Sequence, residues 1–332
     1  MPTYVSLFSG IAGLDLGLHR AGWTCQAMCE IEPHARTVLT RHFPAVPILE
    51  DIKNATAALL GPVPDAVLAG VPCKDTSIAG ARAGFAGARS GLYYDTIRIV
   101  REWVASHGYG PEWIVIENPD GILTSNQGRD WLTVTSDLAD LGYGWAYRVV
   151  DARDHGSVHK RLRVLLVAHR GGDPTVAGSV LGVIRDRGEA AAPDRVEPGR
   201  RPGARPPATD SDAGSLPDGT MIFRKSARAR KSLDRGGYET WVPAAYANTL
   251  TAFDGGGPAR QTHLVVHPDG RVRTLTVTEW ERLCGFPDGW TEGMPDAARF
   301  TALGNCVHVA TGEWLAAGLD SVHAATVAAA TA

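Results

Sequence analysis

Short apolar runs alternate with helical patterns from residue 1 to about 168, and this alternation constrains the fold more than any other feature of the chain. The runs at 4–8, 66–69, 113–116 and 163–168 have strand length, and 14–21, 32–42, 94–105 and 128–141 carry helical patterns. Strands separated by helices at this spacing are βαβ units, which predicts an α/β fold with a parallel, doubly wound sheet. With 332 residues, 44% of them hydrophobic and 21% charged, the chain is long enough for a sizeable core in one large or two modest domains. No run approaches the ~18 apolar residues of a membrane span. Met1 leads straight into the strand-like 4–8, so no signal peptide is read and a cytoplasmic location is expected.

Between about 171 and 236 Gly, Pro, Ala, Asp and Arg dominate and apolar periodicity fades, as in an insertion or a small, partly flexible second domain. Order returns at 238–253. Short strands are then expected at 262–267 and 271–275, split by the turns Gly255-Gly256-Gly257 and Pro268-Asp269-Gly270. A helix is predicted from Thr278, whose hydroxyl precedes an acidic first turn, to just before Gly285, and a last helix from about 307 to 319. The five cysteines, Cys25, Cys29, Cys73, Cys284 and Cys306, are too sparse for a disulfide framework, so any reactive one is a free thiol. A formal charge of −3 carries no polyanion signature, so contacts to nucleic acid have to come from local basic clusters.

Four segments carry chemistry. The first, Phe8-Ser9-Gly10-Ile11-Ala12-Gly13-Leu14, is a glycine-rich turn between a strand and a helix, which lets a cofactor approach the backbone. Glu30 lies 20 residues beyond Gly10, the spacing at which an acidic residue meets a ribose, and Asp51 follows as a candidate purine partner. Several adenosine-containing cofactors fit this pattern, and so does a plain βα turn. The second segment, Gly70-Val71-Pro72-Cys73-Lys74-Asp75-Thr76-Ser77, puts Cys73 in the loop at a strand's carboxyl end, where open parallel sheets hold ligands. Cys73 is there a candidate nucleophile with Lys74 as a nearby cation, or else a small buried hydrophobe. In the third, the strand 113–116 runs into Glu117-Asn118-Pro119 and carries a carboxylate and an amide to the same rim. A carboxylate buried there can exchange a proton with a heteroaromatic ring. In the fourth, His159-Lys160-Arg161-Leu162-Arg163, alternation puts Arg161 and Arg163 on one side of an extended segment.

These segments, in this order, resemble the DNA cytosine-5 methyltransferase family. Phe8-x-Gly10-x-x-Gly13 is similar to the family's S-adenosylmethionine motif, Glu30-Ile31 to its ribose and adenine contacts, Asp51-Ile52 to its adenine-amino contact and Pro72-Cys73 to its nucleophile pair. Glu117-Asn118 resembles its Glu-Asn pair, and Arg161-x-Arg163 its Gln-Arg-Arg-x-Arg strand. Ala79-Gly80, Arg89-Ser90-Gly91-Leu92, the segment Arg282-Leu283-Cys284-Gly285-Phe286-Pro287 and Gly304-Asn305-Cys306-Val307 extend the match over about 1–168 and 272–320. Departures are Val71 for a second proline, Lys74 for glutamine, Thr76 for phenylalanine, His159-Lys160 for Gln-Arg and Cys306 for alanine. None removes a catalytic group; Lys74 and His159 bear on the detailed DNA contacts.

The resemblance implies a Rossmann-like S-adenosylmethionine-dependent methyltransferase domain made of 1–168 and 272–332, to which the C-terminal helix returns, and a smaller, mostly β and loop target-recognition domain at 169–271. It implies Cys73, Glu117, Arg161 and Arg163 as catalytic residues, and no metal. S-adenosyl-L-methionine is the implied cofactor, held by Phe8, Gly10, Gly13, Leu14, Glu30, Ile31, Asp51, Ile52, Pro72, Leu92, Asn305 and Val307. Double-stranded DNA is the implied partner, contacted by Lys74, Ser77, Arg89 and Asn118 and, in the recognition region, by Thr249 and Leu250. Arg224, Lys225, Arg228 and Arg230 add phosphate contacts from a cluster of five positive charges in the eight residues 224–231. A monomer is expected, in a bacterial cell or in an infected host cell for a viral chain, with room for a companion restriction endonuclease. The implied reaction is methyl transfer to C5 of a flipped-out cytosine in a specific duplex sequence, with Cys73 adding to C6. An RNA cytosine, a modified alkyl donor and a non-catalytic DNA-binding homologue remain as other readings. A nicotinamide oxidoreductase leaves Pro72-Cys73 and Glu117-Asn118 unexplained.

Overall fold

Four of the five residues of Thr3–Leu7 are buried, Ser6 included, so this strand, β1, has no solvent face and lies inside a sheet covered on both sides. The computed structural model describes residues 1–72, 90–155, 157, 159–182, 220–225, 241–244, 247, 249–250 and 262–331. By packing, the chain falls into two units: Met1–Val150, Leu162–Pro193 and Val309–Ala332 form the first, and Asp151–Arg161 with Asp194–His308 the second.

After β1 the first unit continues through α1 (Gly13–Arg20), β2 (Thr24–Cys29), α2 (Pro33–His42), β3 (Ile48–Leu49), α3 (Ala57–Leu60) and β4 (Ala66–Gly70). Then come α4 (Tyr93–His107), β5 (Trp113–Asn118), α5 (Arg129–Asp140), β6 (Tyr143–Asp151), β7 (Leu162–Arg170) and α6 (Pro174–Val180). The strand order is β3-β2-β1-β4-β5-β7-β6. β1 pairs in parallel with β2 and β4, β2 with β3, and β4 with β5. The chain moves outward from β1 to β3 and restarts at β4 on the other side of β1. That reversal opens a crevice beyond the carboxyl ends of β1 and β4. The parallel, doubly wound sheet predicted from sequence is mixed on one side, where β7 runs antiparallel to β5 with Glu117 opposite Leu165 and Asn118 opposite Val164. β7 follows β6 through the ten residues 152–161, whose described part holds a short 3-10 turn, and a parallel return needs a crossover of about a dozen or more residues. Val67, Ala69, Ile97, Val100, Trp103, Ile114, Ile116 and Leu138 belong to one buried apolar cluster that holds this framework rigid.

The second unit contains β8 (Met221–Lys225), β9 (Trp241–Pro243), β10 (His263–Val266) and β11 (Val272–Arg273) as an antiparallel sheet in the order β11-β10-β8-β9. The expected turn at 268–270 joins β10 to β11, with His267 N–H donating to the Arg271 carbonyl at 2.9 Å. The next helix, α7 (Val277–Leu283), is capped by Thr276 and not by Thr278. The Thr276 hydroxyl accepts from Glu279 N–H at 3.2 Å, and the Glu279 carboxylate accepts from Thr276 N–H at 2.7 Å. Thr278 and Glu281 have the same spacing, but Glu281 is fully buried and committed elsewhere, to the N–H groups of Gly289 and Thr291 at 2.8 Å each. The following helix, α8 (Asp296–Asn305), was not anticipated, because its buried face is limited to Leu303 and Gly304, too little for a periodic signal. Residues 272–308, expected with the first part of the chain, pack instead with the second unit, since β11 pairs with β10 and α7 lies against α8.

The chain ends in α9 (Val309–Thr331), which returns to the first unit and runs well beyond the expected limit of 319. A Cβ on Gly17 would stand 2.4 Å from the backbone of Gly312 and Glu313, so α1 and α9 cross with their backbones in contact and no larger residue fits. Among the described residues no helix is long and apolar enough to cross a membrane.

Candidate active site

The turn between β1 and α1 is held in an unusual backbone path. Phe8, Gly10 and Ala12 have φ of 59°, 56° and 69°, and a bulky residue such as Phe8 in that region costs about 1–3 kcal/mol. Hydrogen bonds over-determine the path: Ser9 N–H donates to the Cys29 carbonyl at 3.2 Å, Gly10 N–H to Glu30 Oε2 at 2.7 Å and Ala12 N–H to the Ser9 carbonyl at 2.9 Å. Glu30, at the end of β2, also accepts Glu32 N–H at 2.8 Å. Burial pushes the Glu30 carboxyl above its ordinary pKa, and the N–H groups of Glu32 and Gly10 offset only part of that. Gly13 and Leu14 open α1 and are buried.

Space and chemistry over this turn suit a nucleoside with a tail. A Cβ on Gly10 would meet nothing within 4 Å. Ile31, next to Glu30, is 62% exposed and offers an apolar surface for a flat ring. Asp51 is half-buried and accepts Lys53 N–H at 3.0 Å, while Ile52 is buried beside it. Two arginines that sequence reasoning missed hold these segments. Arg36 Nη1 donates to the carbonyls of Glu30 at 3.2 Å and Ile31 at 2.6 Å, and Arg98 donates to those of Ile52 at 2.8 Å and Ala55 at 2.9 Å. The spacing of Asp95, Arg98 and Glu102 on α4 signals ion pairs, which form, but not the loop that Arg98 grips.

Gly70 and Glu117 pair across β4 and β5. A Cβ on Gly70 would lie 3.3 Å from the Phe8 carbonyl and 3.8 Å from Glu117 Oε2, so the ends of β1, β4 and β5 converge within a few ångströms. Glu117 is buried and forms an ion pair with Arg163, Nε to Oε1 at 2.7 Å. Arg163 stands two residues before Leu165, the partner of Glu117, so both side chains leave the same face of the sheet. Asn118 is buried and its Nδ2 donates to the Glu117 carbonyl at 2.6 Å. Val71 and Pro72 continue from β4, Val71 buried and Pro72 half-buried, and Leu92 precedes α4 on the far side of the following segment. Cys73, Lys74, Ser77 and Arg89 lie outside the described residues, as do Arg228 and Arg230.

Arg161 does not share the position of Arg163. β7 starts at Leu162, so the alternation that was to align the two arginines does not reach back to 161. Arg161 belongs to the second unit, is 1% exposed, and donates to the carbonyls of Leu250 at 3.2 Å and Gly304 at 3.0 Å. Around it, Leu250 N–H donates to His159 Nε2 at 2.9 Å, Thr249 Oγ1 to the Lys160 carbonyl at 2.8 Å, and Lys160 N–H to the Ala247 carbonyl at 2.8 Å. Asn305 and Val307 also fall in the second unit, Asn305 exposed at the end of α8. Of the basic cluster, Arg224 and Lys225 are strand residues of β8 and not part of a loop. Lys225 is buried with its ammonium 5.3 Å from the centre of the Trp241 ring, which gives that charge a packing role. Arg224 is opposite His263 on β10; burial, and then the Arg224 charge, push the imidazole down to about 4.

Residues 3–193 and 220–320 match the model of the family described as C-5 cytosine-specific DNA methylase. The chain is 33% identical to Type II methyltransferase M2.BsuMI of Bacillus subtilis, over 95% of this chain and 75% of that protein. It is 28% identical to Type II methyltransferase M.Eco47II of Escherichia coli, over 92% and 76% of the two chains. Among solved structures, the fold is similar to that of the S. pombe Dnmt2 methyltransferase, with a TM-score of 0.64 at 16% identity over 97% of this chain and 99% of that one. The Entamoeba histolytica methyltransferase EhMeth gives a TM-score of 0.63 at 14% identity over 97% and 98%.

Proposed function

The chain belongs to the C-5 cytosine-specific DNA methylase family and is a DNA (cytosine-5-)-methyltransferase; from that premise we propose how its residues divide the reaction. The observation that carries the reading is the Glu117–Arg163 ion pair at the end of β5, one strand from the point where β4 delivers the chain to Pro72 and Cys73. S-adenosylmethionine, which membership of this family implies, would supply the methyl group from its sulfonium sulfur and leave as S-adenosylhomocysteine, the sulfur keeping the electron pair of the broken sulfur–methyl bond. Phe8, Gly10, Gly13 and Leu14 cradle its tail, Glu30 takes the ribose hydroxyls, and Ile31, Asp51 and Ile52 flank the adenine. Pro72, Leu92, Asn305 and Val307 complete that set.

The target cytosine is extruded from the duplex, because its ring face is unreachable in the stack. Cys73 thiolate adds to C6, and the electron pair of the C5–C6 double bond becomes available at C5. Glu117 shares a proton with N3 and bonds the exocyclic amine, which disperses negative charge on the ring. Arg163 orients Glu117 and reaches the base carbonyl. C5 forms its bond to the transferred methyl group, a base or water removes the C5 proton, and elimination frees the Cys73 thiolate. In this reading Arg161 acts outside the reacting set.

Duplex DNA is gripped by Lys74, Ser77, Arg89 and Asn118 and read by the second unit through Arg224, Arg228, Arg230 and Thr249; Leu250, expected from sequence among these contacts, is fully buried and is withdrawn from them. The enzyme works as a cytoplasmic monomer on one specific duplex sequence, and the Type II names of its relatives favour a companion restriction endonuclease. The test is to incubate the protein with mixed-sequence duplex and methyl-labelled S-adenosylmethionine, digest to nucleosides and identify the labelled base by mass spectrometry, with Cys73→Ser as control. Labelled 5-methylcytosine that disappears in the control is the expected outcome. Turnover by Cys73→Ser removes the nucleophile assignment; label on RNA alone, or none with cofactor bound, removes the DNA reading.

A further inference from the structure

At the end of α8 the carbonyls of Ala302, Leu303 and Gly304 are each claimed. Cys306 N–H donates to the Ala302 carbonyl at 2.9 Å, the Cys306 and Cys284 thiols reach the Leu303 carbonyl at 3.1 and 3.7 Å, and Arg161 Nη2 takes Gly304 at 3.0 Å. A cation suits a helix carboxyl end. Arg161 is an expensive way to provide one: it is 1% exposed, makes no ion pair among the described residues, and its Nε has no hydrogen-bond partner there. A buried guanidinium satisfied only by neutral carbonyls costs stability that an apolar residue of similar volume would not. What it supplies is geometry, because one rigid planar fork holds two carbonyls at a set separation. The second carbonyl, Leu250, lies in a segment pinned along 159–161 by the Thr249, Leu250 and Lys160 hydrogen bonds.

We propose that Arg161 is a positioning residue that couples the Thr249–Leu250 segment to the Gly304–Asn305 end of α8, so that DNA engaged by the first sets the second for the cofactor. The inference rests on the reading above, in which Thr249 faces DNA and Asn305 faces the cofactor; Leu250, fully buried beside Thr249, passes the contact to Arg161 through its carbonyl. A displacement of Leu250 either moves Gly304 with it or breaks a buried charge-assisted hydrogen bond. Such coupling is reciprocal in affinity.

The experiment titrates S-adenosylhomocysteine calorimetrically into wild type and Arg161→Met, each alone and saturated with the duplex that wild type methylates. Wild type is expected to gain about fivefold or more in affinity when DNA is present, and a folded Arg161→Met to keep less than about twofold of that gain. A purely structural role would lower thermal stability and leave the ratio intact. Arg161→Lys, which keeps the charge but cannot hold both carbonyls in one plane, carries the test if the methionine variant does not fold, with the same loss of coupling expected. An unchanged ratio in a folded variant, or no coupling in wild type, overturns the proposal. Absence of any methylated duplex would instead overturn the reading of function on which it rests.

Discussion

In the first unit Asp15 and Glu30 are buried and held above the ordinary carboxylate range, whereas in the second Asp151 and Glu281 are as deeply buried and held below it. Burial alone would raise all four. In the second unit it is outweighed: Arg153 donates to Asp151 Oδ2 from Nε and Nη2 at 3.0 and 2.7 Å, and Glu281 receives Thr291, Gly289 and Arg299. Among the described residues Asp15 has only Ser6 as a side-chain donor and one of its oxygens has no partner, and it is pushed up to about 6. Glu30 accepts from the backbone N–H groups of Gly10 and Glu32 and, among the described residues, from no cation. The difference separates two uses of a buried carboxylate. Asp151 and Glu281 are neutralised by arginines within the protein, and Asp15 and Glu30 are left under-compensated, the setting that the ligand role proposed for Glu30 requires. Glu117 of the first unit is held by Arg163 as the second-unit carboxylates are held by theirs, at the end of β5 where the proposed mechanism brings the base.

The largest expected effect comes from breaking the second pattern. Arg299→Ala strips the guanidinium from fully buried Glu281, and loss of one partner of such a pair costs about 3–5 kcal/mol. Urea unfolding monitored by hydrogen exchange should show the loss in α7 and α8, and a change below about 1 kcal/mol would mean that Thr291 and Gly289 suffice. Glu30→Ala probes the first pattern. It should weaken S-adenosylhomocysteine binding by about 1.5–3 kcal/mol in a calorimetric titration, and unchanged affinity would take Glu30 out of the site.

Asp15 gives the smallest effect and the sharpest sign. Its folded pKa is raised, so its contribution to stability is full below the unfolded value near ~3.9 and is lost as pH rises through about 6. Asp151 and Glu281 behave oppositely: theirs is present above ~3.9 and ~4.3 and is lost as pH falls through their lowered folded values. Asp15→Asn should therefore stabilise the first unit at neutral pH by about 1–2 kcal/mol and flatten its pH dependence between about 4 and 6. A variant that keeps the wild-type slope in that window would assign the titration to another group.

Much of the first unit was legible because its signals are local. The strand at 66–69 and the helices at 32–42 and 94–105 are found within two residues as β4, α2 and α4, since apolar spacing over one turn or one pleat is enough to mark them. Glu30 could be paired with Gly10 from a spacing of 20, because a βαβ unit returns its second strand beside the first, and the hydrogen bond is there at 2.7 Å. The cap of α7 shows where this logic fails. Thr276 with Glu279 and Thr278 with Glu281 are equivalent as text, and only the commitment of Glu281 to Thr291 and Arg299 separates them.

The sequence by itself determined the α/β order of the first unit, the glycine turn with its acidic partner, and the kinds of groups at the strand ends. The tertiary structure alone decided that β7 runs against β5, that Lys225 is packed on Trp241, and that Arg161 and Arg163, two residues apart, serve different partners. The physical reason is reach. Arg161 meets carbonyls 89 and 143 positions away, and contacts across such separations are set by how elements pack, not by any periodicity in the residues that make them.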